Sequence, residues 1–152
     1  MEYGMPKASQ IMTKDVITVR KETPIRELAK ILLEKGINGV PVVDDQGAVI
    51  GVVCESDLVE YNKPLHIPTV FYILDSIIPI ENPWRLHQDF KRISATTVGD
   101  IFSHPATCVQ SDTEISEIAR IMSENKYYTI PVVEDGKLIG IIGKVDIVKS
   151  IV

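Results

Sequence analysis

Residues 40–57 read VPVVDDQGAVIGVVCESD, and residues 130–146 repeat the phrase as IPVVEDGKLIGIIGKVD. Working outward from this pair, a shift of ninety positions aligns Ile11-Met12-Thr13 with Ile101-Phe102-Ser103 and Val19 with Val109. The match runs on through Thr23/Thr113, Ile25/Ile115, Leu28/Ile118, Ala29/Ala119 and Leu32/Met122 to the two Pro-Val-Val runs. One extra turn residue in the first copy, DDQG against EDG, moves the offset to 89, after which Gly51 meets Gly140 and Asp57 meets Asp146. So long an alignment with one gap marks an internal duplication.

Each copy has a readable anatomy. Thr23-Pro24 and Thr113-Glu114 suit a hydroxyl cap followed by a first-turn residue. Apolar residues at 25, 28, 29 and 32, and at 115, 118, 119 and 122, fall at i, i+3, i+4, i+7, one face of a helix. These helices are expected to end near Gly36 and Asn125. β-Branched runs follow at 40–43 and 130–133, with return strands at 48–53 and 137–142. Asp135-Gly136 is a tight-hairpin signal, and Asp45-Gln46-Gly47 a slightly longer form of it. A second helix is expected near Ser56 and near Val145. The order is strand, helix, strand, strand, helix. A unit of this size buries too little apolar surface alone, so two copies should face each other with pseudo-twofold symmetry.

The chain has 152 residues, 45% hydrophobic and 24% charged, which fits a packed core rather than disorder, and the mixed order of strands and helices makes the expected fold α+β. A net charge of -5 with no basic run argues against DNA or RNA as a partner. The most apolar run, VFYILDSIIPI at 70–80, is too short to span a bilayer and carries Asp75 and Pro79, so no membrane partner is expected. Residues 61–97 have no counterpart before the first copy and are expected to be an ordered insertion, with a helix near 83–94 opened by Asn82-Pro83. Cys54 and Cys108 do not make a disulfide framework, and the N-terminal residues lack a secretory pattern, so a reduced, cytoplasmic location is expected. His66, His87 and His104 lie at no metal-ligand spacing, and no C-x-x-C, P-loop, G-x-S-x-G or G-x-G-x-x-G occurs. No catalytic residue and no metal site is therefore assigned.

The two motifs, GINGVPVVDDQGAVIGVVCESDLV and KYYTIPVVEDGKLIGIIGKVDIV, resemble the CBS domain, named for cystathionine β-synthase; the tandem pair looks like a Bateman module. The resemblance covers residues 8–60 and 98–151. It implies a non-catalytic regulatory module that binds an adenosyl compound (AMP, ADP, ATP, S-adenosylmethionine or an NAD-type nucleotide) in clefts between the repeats. It needs no cofactor, Mg entering only with ATP. The resemblance also implies association into a homodimer, and a module without an attached effector domain would act on a protein in trans.

Asp57 and Asp146 fall just inside helix starts, where an acid is favoured by the helix dipole alone. The resemblance adds that the matching aspartate holds the ribose hydroxyls. Three residues after the motif glycine, where the family often has Ser or Thr, this chain has Cys54 and Gly143, a departure on the phosphate side of both sites. Val53 and Ile142 precede them, and Lys144 offers a charge. By position in the motif, the adenine would lie against Ile17, Thr18, Ile37, Asn38 and Gly39, and against Thr107, Cys108, Tyr127, Tyr128 and Thr129. Which copy's adenine wall faces which copy's aspartate is left open by the sequence. The rival reading is an interaction protein whose clefts no longer bind nucleotide.

Overall fold

The computed structural model describes residues 4–62, 70–73, 76–79, 97–103 and 106–152. In chain order the elements are α1 (Ala8–Ile11), α2 (Ile25–Lys35), β1 (Gly39–Val43), β2 (Val49–Cys54) and α3 (Glu55–Tyr61). A hairpin follows, β3 (Val70–Ile73) and β4 (Ser76–Pro79), then α4 (Val98–Ile101), α5 (Ile115–Asn125), β5 (Thr129–Glu134), β6 (Lys137–Gly143) and α6 (Lys144–Lys149). The hairpin lies in the insertion; the helix expected near 83–94 lies outside the described residues.

Each repeat folds around an antiparallel pair, β1 with β2 and β5 with β6, with an irregularity at Val42/Val43 and at Val132/Val133. The β5–β6 turn places Asp135 and Gly136 at φ 52° and 76°, as a tight hairpin requires. The longer β1–β2 turn is closed by Asp44, whose Oδ1 accepts from the N–H groups of Gln46 and Ala48, both at 2.9 Å. The first strand expected of each repeat shrinks to a single parallel bridge, Val19 with Val42 and Val109 with Val132. The cause lies next to the bridge. Val19 N–H donates to Pro41 C=O and Val43 N–H donates to Val19 C=O, but Pro41 has no N–H of its own to extend the ladder back toward Ile17. Arg20 N–H already turns away to Thr23 Oγ1.

That last contact corrects another expectation. Thr23 and Thr113 do not cap α2 and α5; their hydroxyls accept from Arg20 and Gln110 N–H at 3.0 and 3.1 Å and close the preceding turn. The N-cap positions are Pro24 and Glu114, without a side-chain cap. At the other end, the left-handed residue is Gly36 for α2 but Lys126 for α5, at φ 60° and 56°.

The repeats exchange their leading segments. α1 opens the first repeat, yet Ala8 is buried with Val109, Ile118, Met122, Ile130, Val132 and Ile142 of the second. α4 opens the second, yet Val98 is buried with Val19, Leu28, Leu32, Val40, Val42 and Val53 of the first. Backbone bonds fix the exchange: Ala8 N–H donates to Thr113 C=O and Val98 N–H to Thr23 C=O, each at 2.8 Å. The motif glycines belong to the same arrangement. A Cβ on Gly140 would sit 2.3 Å from Met12 Sδ, and one on Gly51 would sit 2.3 Å from the Phe102 ring and 2.5 Å from the Ser103 carbonyl oxygen. Glycine at these sites lets the exchanged segment lie directly on the sheet. Two small cores are thereby locked into one body.

Candidate functional site

Asp57 and Asp146 are third-position residues of α3 and α6, and their first task is local. Asp57 Oδ2 accepts from Cys54 N–H at 2.8 Å, and Asp146 Oδ2 accepts from Gly143 N–H at 2.7 Å. Each satisfies the backbone donor at its own helix start. One oxygen per carboxylate is left over. Asp57 Oδ1 takes a long bond of 3.4 Å from Ser103 Oγ. Asp146 Oδ1 accepts from no described residue. Burial pushes the Asp57 carboxyl above its ordinary value, against the lowering pull of its Cys54 and Ser103 donors.

Both aspartates border a cavity at the junction of the repeats. The first, about 390 Å³, is lined by Cys54, Asp57, Thr107, Tyr127, Tyr128 and Thr129 among others. The second, about 270 Å³, is lined by Ile17, Ile37, Asn38, Gly39, Gly143, Lys144 and Asp146. The arrangement is therefore crosswise: each aspartate faces the residues that lead into the first hairpin strand of the other repeat. Asn38, Tyr128 and Thr129 border both cavities and form the wall between them. Lys144 Nζ lies 4.4 Å from the centroid of the Tyr128 ring in that wall.

At the wall's centre Gly39 leaves room for two side chains. A Cβ on Gly39 would meet Cys54 Sγ and Thr129 Oγ1, both at 2.8 Å. The Cys54 thiol is pushed up to about 11 by burial first and then by the Asp57 charge, with its hydrogen bond to the Thr129 side chain pulling the other way. At neutral pH it is a thiol, a weak donor and a poor nucleophile.

Four expected site residues border neither cavity. Val53 and Ile142 are fully buried in the two cores, because side chains alternate along a strand and their neighbours Val52 and Ile141 take the cavity face. Thr18 and Cys108 are exposed on the far side of extended segments whose other neighbours, Ile17 and Thr107, line the cavities. Conversely, Thr13, Asp15, Ser103, Lys126 and Lys149 line a cavity without having been singled out from the sequence. Thr13 and Ser103 occupy equivalent places after α1 and α4 and come with the exchanged segments. The resemblance of Ile11-Met12-Thr13 to Ile101-Phe102-Ser103 was the one available signal for them.

Two duplicated β-hairpin units, locked together with a pair of crosswise clefts between them, define a tandem-repeat architecture. The CBS-domain family model matches residues 8–63 and 98–152, and the chain belongs to the CBS-domain family as a tandem pair. The chain is 29% identical over 97% of its length to the CBS domain-containing protein CBSX1, chloroplastic, of Arabidopsis thaliana, and spans 64% of that relative. For CBSX2 of the same plant the identity is 28%, covering 87% of this chain and 57% of the relative. An uncharacterised protein of Methanocaldococcus jannaschii, MJ1426, is 25% identical over 93% of this chain and 89% of its own. Among solved structures, CBSX2 in complex with AMP superimposes with a TM-score of 0.73 at 26% identity, covering 95% of each chain. No helix among the described residues is long and apolar enough to cross a membrane.

Proposed function

We propose that this chain is a regulatory sensor of an adenosine-containing nucleotide, bound in the clefts between its repeats. One observation supports the reading: each cleft sets an aspartate carboxylate against the strand lead-in of the other repeat, Asp146 with one oxygen free of described donors and Asp57 with one held only by the long bond from Ser103. A carboxylate oxygen can accept from ribose hydroxyls, while backbone amides and ring faces at residues 37–39 and 127–129 suit a flat, hydrogen-bonding base. The relative at 26% identity that was solved with AMP supports the same ligand class. Because a ligand would bridge the repeats, binding would favour one angle between them, which is how a module without chemistry of its own transmits a signal.

This reading is of a binding module and not an enzyme, acting in the cytoplasm on an effector protein in trans. Mg enters only with a triphosphate. It includes a homodimer: Val59 of α3 and Val145 and Val148 of α6 are 71%, 60% and 61% exposed, apolar surface at equivalent ends of the two repeats. The second reading, clefts that bind no nucleotide, is favoured by Cys54 and Gly143, which stand where the family often has a hydroxyl.

A thermal-shift panel of AMP, ADP, ATP, S-adenosylmethionine and NADH separates the two. A ligand at about 100 times its dissociation constant adds roughly 2.7 kcal/mol of stability and raises the melting temperature. Asp57→Ala and Asp146→Ala together should abolish the rise. A panel with no shift for the unmodified protein supports the second reading.

A further inference from the structure

One equivalent position in the two clefts carries opposite charge, and a second reverses beside them. Across the offset of 89, Glu55 of the first repeat becomes Lys144 of the second, and Glu60 becomes Lys149. The change reaches the cavities themselves. Glu55 and Asp57 face a single ammonium, Lys126, around the first, whereas Asp15 and Asp146 are matched by Lys144 and Lys149 around the second. Neither Lys144 nor Lys149 is in an ion pair with another described residue.

We propose that the two clefts divide adenosyl ligands by charge, the Asp146 cleft taking a phosphorylated one and the Asp57 cleft a neutral or cationic one. The inference rests on the adenosyl-binding reading above. A phosphate entering the second cleft meets two ammonium groups able to make charge-assisted hydrogen bonds. In the first cleft it meets Glu55 close to Asp57, and repulsion between like charges grows as water is displaced from a closing site. The Cys54 thiol registers that negative surrounding, since the charges of both Asp57 and Glu55 raise its pKa. A neutral nucleoside avoids the repulsion, and a sulfonium gains from it.

Calorimetric titration with AMP and with adenosine tests the division on variants that keep one cleft each. Asp57→Ala, leaving the second cleft, should bind AMP about tenfold tighter than adenosine, the scale of one charge-assisted hydrogen bond. Asp146→Ala, leaving the first, should bind adenosine at least as tightly as AMP. Adding Glu55→Lys to Asp146→Ala should turn that preference toward AMP, and adding Lys144→Glu to Asp57→Ala should erase it. Residues 55 and 144 are exposed, so the charge reversals made singly in the otherwise unmodified chain provide the same comparison if an aspartate variant fails to fold. An AMP-to-adenosine ratio that is equal in the two clefts, or indifferent to both reversals, overturns the division while leaving nucleotide binding intact. Binding of neither compound by the unmodified protein overturns the sensor reading and the division with it.

Discussion

Set side by side, the two cores agree and the two clefts do not. Along α2 and α5 the buried positions coincide, Leu28 with Ile118 and Leu32 with Met122, and β1 and β5 bury Val40 with Ile130 and Val42 with Val132. At the junction the equivalent pairs diverge: Cys54 against Gly143, Gly39 against Thr129, Glu55 against Lys144. Packing holds both copies to one pattern, because each core also has to receive a helix from the other repeat. The cleft walls are held less tightly, apart from the close approach at Gly39 and the two aspartates, whose bond to the helix start would keep them in place even without a ligand. The difference between the copies is therefore where specificity is to be sought.

The largest effects should fall where the copies agree. Leu28→Ala and Ile118→Ala each remove a fully buried side chain and should cost about 2–5 kcal/mol, similar in the two repeats, by urea denaturation. Two well-separated transitions in the unmodified protein would contradict the locked, exchanged architecture. The motif glycines sharpen the comparison. Gly51→Ala forces a Cβ onto an aromatic ring and a backbone carbonyl and should cost about 1–3 kcal/mol. Gly140→Ala meets the flexible Met12 side chain and should cost less. The reverse order would show that the leaders do not lie on the sheets as described.

Much of this was legible before the structure. The helical face of α2, the Asp135-Gly136 turn and the two aspartates follow from spacing and residue type, which are local signals. The exchange of α1 and α4 was not legible, because it joins Ala8 to Thr113 and Thr23 to Val98, residues 105 and 75 positions apart, through backbone bonds that leave no periodicity. That Val53 and Ile142 border neither cavity has a simpler origin. A strand alternates its side chains, so the neighbours of Cys54 and Gly143 point to the opposite face. Lys126 carries no such local signal, because a lysine at a helix end is ordinarily a solvated residue and its left-handed backbone is visible only in three dimensions.

Smaller effects concern the first cleft alone. Exposed Cys108 should react with a thiol reagent roughly tenfold faster than Cys54, whose ionisation is pushed up to about 11. A ligand in the first cleft should slow Cys54 further and leave Cys108 unchanged; slowing of both would place the ligand elsewhere. The smallest effect is a pH dependence. Burial raises the Asp57 pKa, so the folded protein holds that proton more tightly than the unfolded chain. Its favourable contribution is complete below the ordinary carboxylate value and is lost as pH rises through the raised one. Asp57→Asn, which keeps an oxygen for Cys54 N–H, should be slightly more stable than the unmodified chain at neutral pH. That gain should fade on acidification; one that grew on acidification would contradict the assignment.

A bound adenosyl ligand should lie crosswise, with ribose on one repeat's aspartate and base on the other's strand lead-in. A crystal structure with AMP decides this. A ribose hydroxyl should lie within hydrogen-bond reach of Asp146, and the adenine against Ile17, Ile37 and Gly39. An adenosyl group contained within one repeat, or bound away from both aspartates, would contradict it.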